Sequence, residues 1–165
     1  MTIIADTREH SDQWARIKKV FEAAGVEYIR SKLFIGDYMI LDNPRLVIDR
    51  KHNLAEIAAN FSDGKRTQTG YRSRFEEEMA TAKKHGIELI FLVEHGGSIK
   101  TIEDVAAWQN PRLATSPLAL SGVRIYRKML AFQNYYGVKF LFCDKAQTAQ
   151  KIVSILARGA QKDGE

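Results

Sequence analysis

A single cysteine among 165 residues leaves nothing for a disulfide framework to be built from. Cys143 lies in the apolar run Lys139-Phe140-Leu141-Phe142-Cys143 and reads as a buried, inert thiol. Zinc spacing is also missing. His10, His52, His85 and His95 share no ligand pattern, and only His52 follows a chemistry-bearing motif. No apolar run approaches the roughly 20 residues of a membrane-spanning helix, and Met1-Thr2-Ile3-Ile4-Ala5 lacks the basic segment and long apolar core of a signal peptide. A cytoplasmic, reducing compartment is the expectation. There is no internal repeat, low-complexity tract or linker, so one domain is expected over residues 1–158, with 159–165 as a flexible tail.

What is present is an ordinary globular composition with a modest excess of base. Twenty-five Lys and Arg against 20 Asp and Glu give a net charge of +5, which favours a polyanionic partner without demanding one. If several acids are gathered in one site, the remaining surface is more basic than the total.

The acids that matter lie in two β-branched apolar runs, Gly36-Asp37-Tyr38-Met39-Ile40-Leu41 and Leu46-Val47-Ile48-Asp49-Arg50-Lys51, separated by the turn-like Asp42-Asn43-Pro44-Arg45. Strand alternation sends Val47, Asp49 and Lys51 to one face and Leu46, Ile48 and Arg50 to the other. An antiparallel hairpin centred on Asn43 sets Asp37 opposite Asp49, with Cβ atoms roughly 5 Å apart. Two carboxylates so close repel unless they share a divalent cation or one takes up a proton. The alternative is a hairpin edge with its charges in water.

Along the chain, Thr2 to Asp6 reads as a buried strand. A helix runs from Ser11 to Gly25, Tyr28 to Phe34 is a second strand, and the hairpin follows. Asn53 caps the next helix with Glu56 at its third position, so Glu56 is open between a capping box and the metal site. The polar segment Ser62 to Gly70 reads as a mobile, substrate-contacting loop. Helical patterns cover Arg72 to His85, Thr101 to Trp108, Ser116-Pro117 to Tyr136 and Thr148 to Leu156, with apolar strands at Ile87 to Val93 and Val138 to Cys143. Arg124, Arg127 and Lys128 form one basic helical stripe, either a solvated face or a phosphate contact. These elements make an α/β structure: a mixed sheet with a central antiparallel hairpin and helices on both faces.

With Asp37, Asp49 and Lys51 placed together, the chain resembles the PD-(D/E)xK nuclease superfamily and its restriction-endonuclease-like fold. Within it, Gly36-Asp37, then Asp49-Arg50-Lys51, with Asp6-Thr7-Arg8-Glu9 after the first strand, resemble the nuclease domain of the XPF family, over about residues 2 to 156. The family's glutamate is Asp49 here. Its further acid, four residues after the lysine, is Ala55, with Glu56 one step on. The similarity is to compact bacterial and phage versions without a tandem helix-hairpin-helix module.

The resemblance implies a Mg²⁺-dependent DNA endonuclease, with Mn²⁺ as a substitute, acting on branched or flap DNA, and a homodimer. It implies Asp37, Asp49, Lys51, Arg50, Asp6 and Arg8 as catalytic residues, with Asp37, Asp49, Asp6 and Glu56 around the metal. Alternation points Arg50 away from Asp49, towards a salt bridge with an acid such as Glu9. DNA contacts are expected from Lys65, Arg66, Arg72, Arg124, Arg127 and Lys128. The other reading is a non-catalytic DNA-binding or scaffold subunit of a nuclease complex; the presence of Asp37, Asp49 and Lys51 together argues for the enzyme.

Overall fold

The computed structural model describes residues 1–62, 64–67 and 70–162, with side chains for 1–62 and 73–159. Strand β1, Thr2–Asp6, is apolar and buried after its first residue because it has neighbours on both sides. It runs parallel to β2, Glu27–Ser31, across helix α1, Ser11–Ala23, and antiparallel to β3, Tyr38–Ile40. A tight turn joins β3 to β4, Asn43–Lys51, and completes the central antiparallel hairpin. Beyond β4 lie α2, Leu54–Ser62, the paired strands β5, Gly64–Thr67, and β6, Gly70–Ser73, and then α3, Arg74–Lys84. β7, Glu88–Glu94, and β8, Lys139–Cys143, extend the sheet in parallel with β4, and α4, Gly122–Tyr136, connects them. α5, Thr148–Lys162, closes the described chain.

The six-stranded sheet has the order β2-β1-β3-β4-β7-β8. Alternation divides its side chains between two cores. On one face Val47, Leu89, Phe91 and Val93 pack with Leu54 and Ile57 of α2, Phe75 and Met79 of α3, and Ile125 and Met129 of α4. On the other, Ile3, Ile48, Ile90 and Leu92 meet Ile17 and Phe21 of α1 and Ile152 and Leu156 of α5. This is the expected mixed sheet flanked by helices on both faces. Cys143 is buried and free, as expected. Among the described residues no helix is long and apolar enough to cross a membrane.

Five elements differ from expectation. β2 stops at Ser31 because β1 ends at Asp6; the Leu33 N–H goes instead to Asp6 Oδ2 at 2.7 Å. The segment expected as a loop after Ser62 folds back on itself as the β5–β6 ladder, with Lys65 opposite Arg72 and Arg66 opposite Tyr71. α4 begins at Gly122, capped by Ser121, and not at Ser116-Pro117. At Gly122 a side chain would collide with the carbonyls of Val105 and Trp108, so the helix starts where its backbone can lie against the single 3₁₀ turn Asp104–Ala107 that stands in place of the expected Thr101–Trp108 helix. α5 continues past Leu156 to Lys162 because Gly159 lies on Leu46 and its carbonyl accepts from Asn43 Nδ2 at 3.3 Å, so the expected tail is helical at its start.

Candidate active site

The hairpin places Asp37 and Asp49 as the sequence predicts. Met39 faces Val47 and Tyr38 faces Ile48, where the ladder ends, and Asp37 lies just beyond it, close enough to Asp49 for the two charges to interact. Asp37 is tied to both neighbouring strands: its N–H donates to the Ile48 carbonyl at 2.8 Å, and its own carbonyl accepts from the Asp6 N–H at 2.8 Å. Its Oδ2 accepts from the Arg50 N–H at 2.8 Å. Gly36, at φ +65°, makes the bend that delivers Asp37, and any Cβ there would collide with Val47 Cγ1 and sit 3.0 Å from the Ile48 carbonyl oxygen.

Lys51 returns to the same face two residues after Asp49, and its Nζ lies 2.7 Å from Asp49 Oδ1. The ammonium sits over the Phe75 and Phe91 rings at 5.2 and 5.7 Å, which fixes its stem against the core. A cleft of about 590 Å³ opens over these groups, and its wall includes Asp37, Asp49, Lys51, Arg8, Arg74 and Glu78.

Glu78 is the residue that sequence reading missed. It comes from α3, where Phe75, Met79 and Ala82 are buried, three residues after Phe75 and four before Ala82. An acid on the apolar stripe of an amphipathic helix was the signal available. Its Oε1 accepts from the Gly36 N–H at 3.2 Å.

Three carboxylates therefore converge on one lysine. Burial, the nearby Asp49 and then Glu9 push Asp37 well above the usual carboxylate range. Burial and Asp49 likewise raise Glu78 to about 7. Burial works against the charge of Lys51, but Asp49 overcomes it and holds the ammonium protonated beyond its ordinary range. Asp49 Oδ1 is buried, with the Lys51 ammonium 2.7 Å away.

Such a set is short of positive charge, and its hard oxygen donors suit Mg²⁺ or Mn²⁺. Asp37 and Asp49 fit a divalent ion. Among the described residues no group of three or more His, Cys, Asp and Glu is already drawn into ligating position.

The rest of the predicted set is spread around this centre. Asp6 is wholly buried behind Arg8: its Oδ1 accepts from the Arg8 N–H and Nε at 2.6 and 2.9 Å, and its Oδ2 from Arg8 Nη2 and the Leu33 N–H, both at 2.7 Å. Burial alone would raise the Asp6 pKa, yet the Arg8 contacts and the Leu33 N–H bring it down to about 2. Both oxygens are committed, so the structure does not turn Asp6 towards Asp37 and Asp49; the half-exposed Arg8 reaches the cleft in its place.

Arg50 points to the opposite sheet face. Its Nε and Nη2 donate to Glu9 at 3.0 and 2.7 Å, and its Nη1 lies 3.3 Å from Glu94 Oε2. Glu94 Oε1 also accepts from Arg16 at 2.8 Å and Thr148 at 2.6 Å. The Glu9 partner was legible from alternation and the Glu94 network was not, because Arg16 and Thr148 come from the far ends of the chain.

Glu56 acts at the start of α2. Asn53 Oδ1 accepts from the Glu56 N–H at 2.9 Å, and Glu56 Oε2 accepts from the His52 N–H at 2.6 Å, so the reciprocal bond reaches one residue further back than a standard capping box. Glu56 is absent from the cleft wall that holds Asp37 and Asp49. Lys65, Arg66 and Arg72 lie on the β5–β6 ladder, and their side chains fall outside the described residues. On α4, Arg124 and Arg127 are exposed, while the Lys128 ammonium sits 5.9 Å from the centres of the Phe61 and Phe132 rings.

The ERCC4 domain family model matches residues 5–156. Two solved structures resemble the chain: XPF from Aeropyrum pernix, 22% identical with a TM-score of 0.67 over 97% of this chain and 65% of that one, and XPF from Aeropyrum pernix in complex with DNA, 21% identical with a TM-score of 0.65 over 98% and 66%. The chain spans just under two thirds of the length of these solved chains, and at such identities the likeness is one of fold. No curated protein matched the sequence.

Proposed function

This chain belongs to the ERCC4-domain family, and on that premise we propose that it is a Mg²⁺-dependent endonuclease that hydrolyses DNA phosphodiester bonds at branched, flap or junction structures. The observation that carries the proposal is the convergence of Asp37 and Asp49 on protonated Lys51 at the floor of an open cleft. Asp37 and Asp49 would hold the Mg²⁺, or Mn²⁺ in its place. When bound, the ion neutralises phosphate charge and acidifies a water.

Lys51 supplies a positive charge to the phosphate as negative charge builds on its oxygens, and it orients the attacking water. Arg8, held by Asp6, contacts a neighbouring phosphate from the cleft lip. Arg50 and Glu56 position β4 and α2 and touch neither substrate nor ion. Lys65, Arg66, Arg72, Arg124, Arg127 and Lys128 are the proposed backbone contacts. The proposed assembly is a homodimer, through the exposed Leu113 and Leu118 ahead of α4 and Val123 and Leu130 along it.

Labelled flap, three-way, four-way and linear DNA, each with Mg²⁺, Mn²⁺ or EDTA, test the activity. Cleavage of the branched substrates that stops in EDTA and in Asp37→Asn is the expected result. Binding without cleavage of any substrate would instead assign a non-catalytic DNA-binding subunit. Light scattering of the purified chain checks the dimer.

A further inference from the structure

Phe34 is 77% exposed, more than any other aromatic side chain among the described residues, and it forms part of the wall of the cleft that holds Asp37, Asp49 and Lys51. An isolated exposed apolar side chain needs no explanation. This one is held outward by its surroundings. Its neighbours Leu33 and Ile35 are 5% and 7% exposed, so the chain is anchored on both sides of it. The Leu33 N–H donates to Asp6 Oδ2 at 2.7 Å, and the Leu33 carbonyl accepts from Arg8 Nη2 at 3.0 Å. Two residues on, Gly36 donates to Glu78 and turns at φ +65°. His85 meets the Phe34 ring edge-on, with centroids 5.7 Å apart at 85°, which braces its rim.

We infer that Phe34 is a stacking platform for an unpaired DNA base at the mouth of the cleft, and that it helps the site distinguish a branch or single-stranded segment from continuous duplex. The inference rests on the proposed nuclease reading and adds a specificity-determining residue to it. A base inside a duplex is stacked on both sides and has no face to offer; an unpaired one does. Stacking on an aromatic ring is tolerant of base identity. The fixed backbone on either side reduces the ordering cost at binding. Arg8 and Arg74 in the same wall supply charge for the adjoining phosphates, which favours a nucleic acid over an apolar peptide as the occupant.

The test uses the whole chain in EDTA and compares parent, Phe34→Ala and Phe34→Trp. Affinity is measured by fluorescence anisotropy for a flap, for the same flap with an abasic site at the first unpaired nucleotide, and for linear duplex. For Phe34→Ala the expected loss on the flap is about tenfold, with less than about twofold on duplex and an unchanged salt slope. Phe34→Trp should bind the flap like the parent. The abasic flap should cost the parent the same tenfold and cost Phe34→Ala nothing further. Equal losses on flap and duplex, parental flap binding by Phe34→Ala, or an abasic penalty that persists in that variant would each overturn the inference. A parent that binds the flap but does not cut it in Mg²⁺ sinks the nuclease reading alone, whereas a parent that binds no DNA sinks both.

Discussion

The two faces of the last three residues of β4 invert each other. Asp49 and Lys51 face a cleft where Asp37 and Glu78 add negative charge faster than one lysine offsets it, and burial makes each extra charge dearer. Arg50, between them in sequence, faces a paired assembly in which its Nε and Nη2 donate to Glu9, Glu94 Oε1 accepts from Arg16 and Thr148, and Arg50 Nη1 lies at ion-pair distance from Glu94 Oε2. There Arg50 is raised further above its ordinary range, and Glu9 is lowered because Arg50 outweighs the cost of burying it. A strand thus carries strain on one side and its support on the other, one residue apart. Carboxylates left crowded await a cation, whereas carboxylates already paired hold elements together.

Breaking the paired side should have the larger effect on stability. Arg50→Ala leaves Glu9 and Glu94 buried without their shared cation, and the expected loss is about 3–5 kcal/mol in denaturant unfolding. A loss below about 1 kcal/mol would mean that the two faces do not differ as described. Lys51→Ala should also destabilise the metal-free protein, since buried Asp49 loses its ammonium, but Mg²⁺ should restore the Tm while cleavage stays roughly 10²–10³-fold down in single-turnover assays. A variant that unfolds as readily as Arg50→Ala even in Mg²⁺ would place Lys51 among the supports.

The crowding on the cleft side has a pH signature. Glu78 has a folded pKa of about 7 against an ordinary 4.5, so the folded protein binds the proton more tightly than the unfolded chain does. Stability is therefore lost as pH rises from 4.5 to about 7, and the full penalty is present above that. Glu78→Gln keeps an acceptor for the Gly36 N–H and removes the charge. It should raise metal-free stability by about 1–2 kcal/mol at pH 8 and by almost nothing below pH 4.5. By the same argument, Mg²⁺ should raise the parent's Tm more at pH 8 than at pH 5.5, since it binds the ionised set.

How much of this was legible in the sequence follows from distance along the chain. The hairpin register, the common face of Asp49 and Lys51, the outward turn of Arg50 and the Asn53 cap all follow from local alternation and turn chemistry. Glu78 and Glu94 come to their partners across α3 and β7, and no local period announces which end of a helix or strand will meet which other element. The surroundings of Asp6 were hidden for a related reason: it stands at the strand end where the family pattern expects an acid, and its oxygens are taken up by Arg8 and by Leu33 from beyond β2. The β5–β6 ladder was missed because its strands lack an apolar face, and backbone pairing across a two-residue connection formed them.

Glu56 gives the smallest effect and the finest division between the faces. It lies near enough to Lys51 to add to its positive pKa shift, yet its Oε2 is engaged by the His52 N–H at the start of α2. If that bond is its role, Glu56→Gln, which keeps a carbonyl acceptor, should cost about 0.5 kcal/mol or less, and Glu56→Ala about 1 kcal/mol. Neither should weaken Mn²⁺ binding measured by calorimetry on the DNA-free protein. Asp49→Asn should weaken it about tenfold or more. A Glu56→Gln variant of normal stability whose Mn²⁺ affinity fell as far as that of Asp49→Asn would move Glu56 from support to site, and the boundary would then run through α2 instead of along β4.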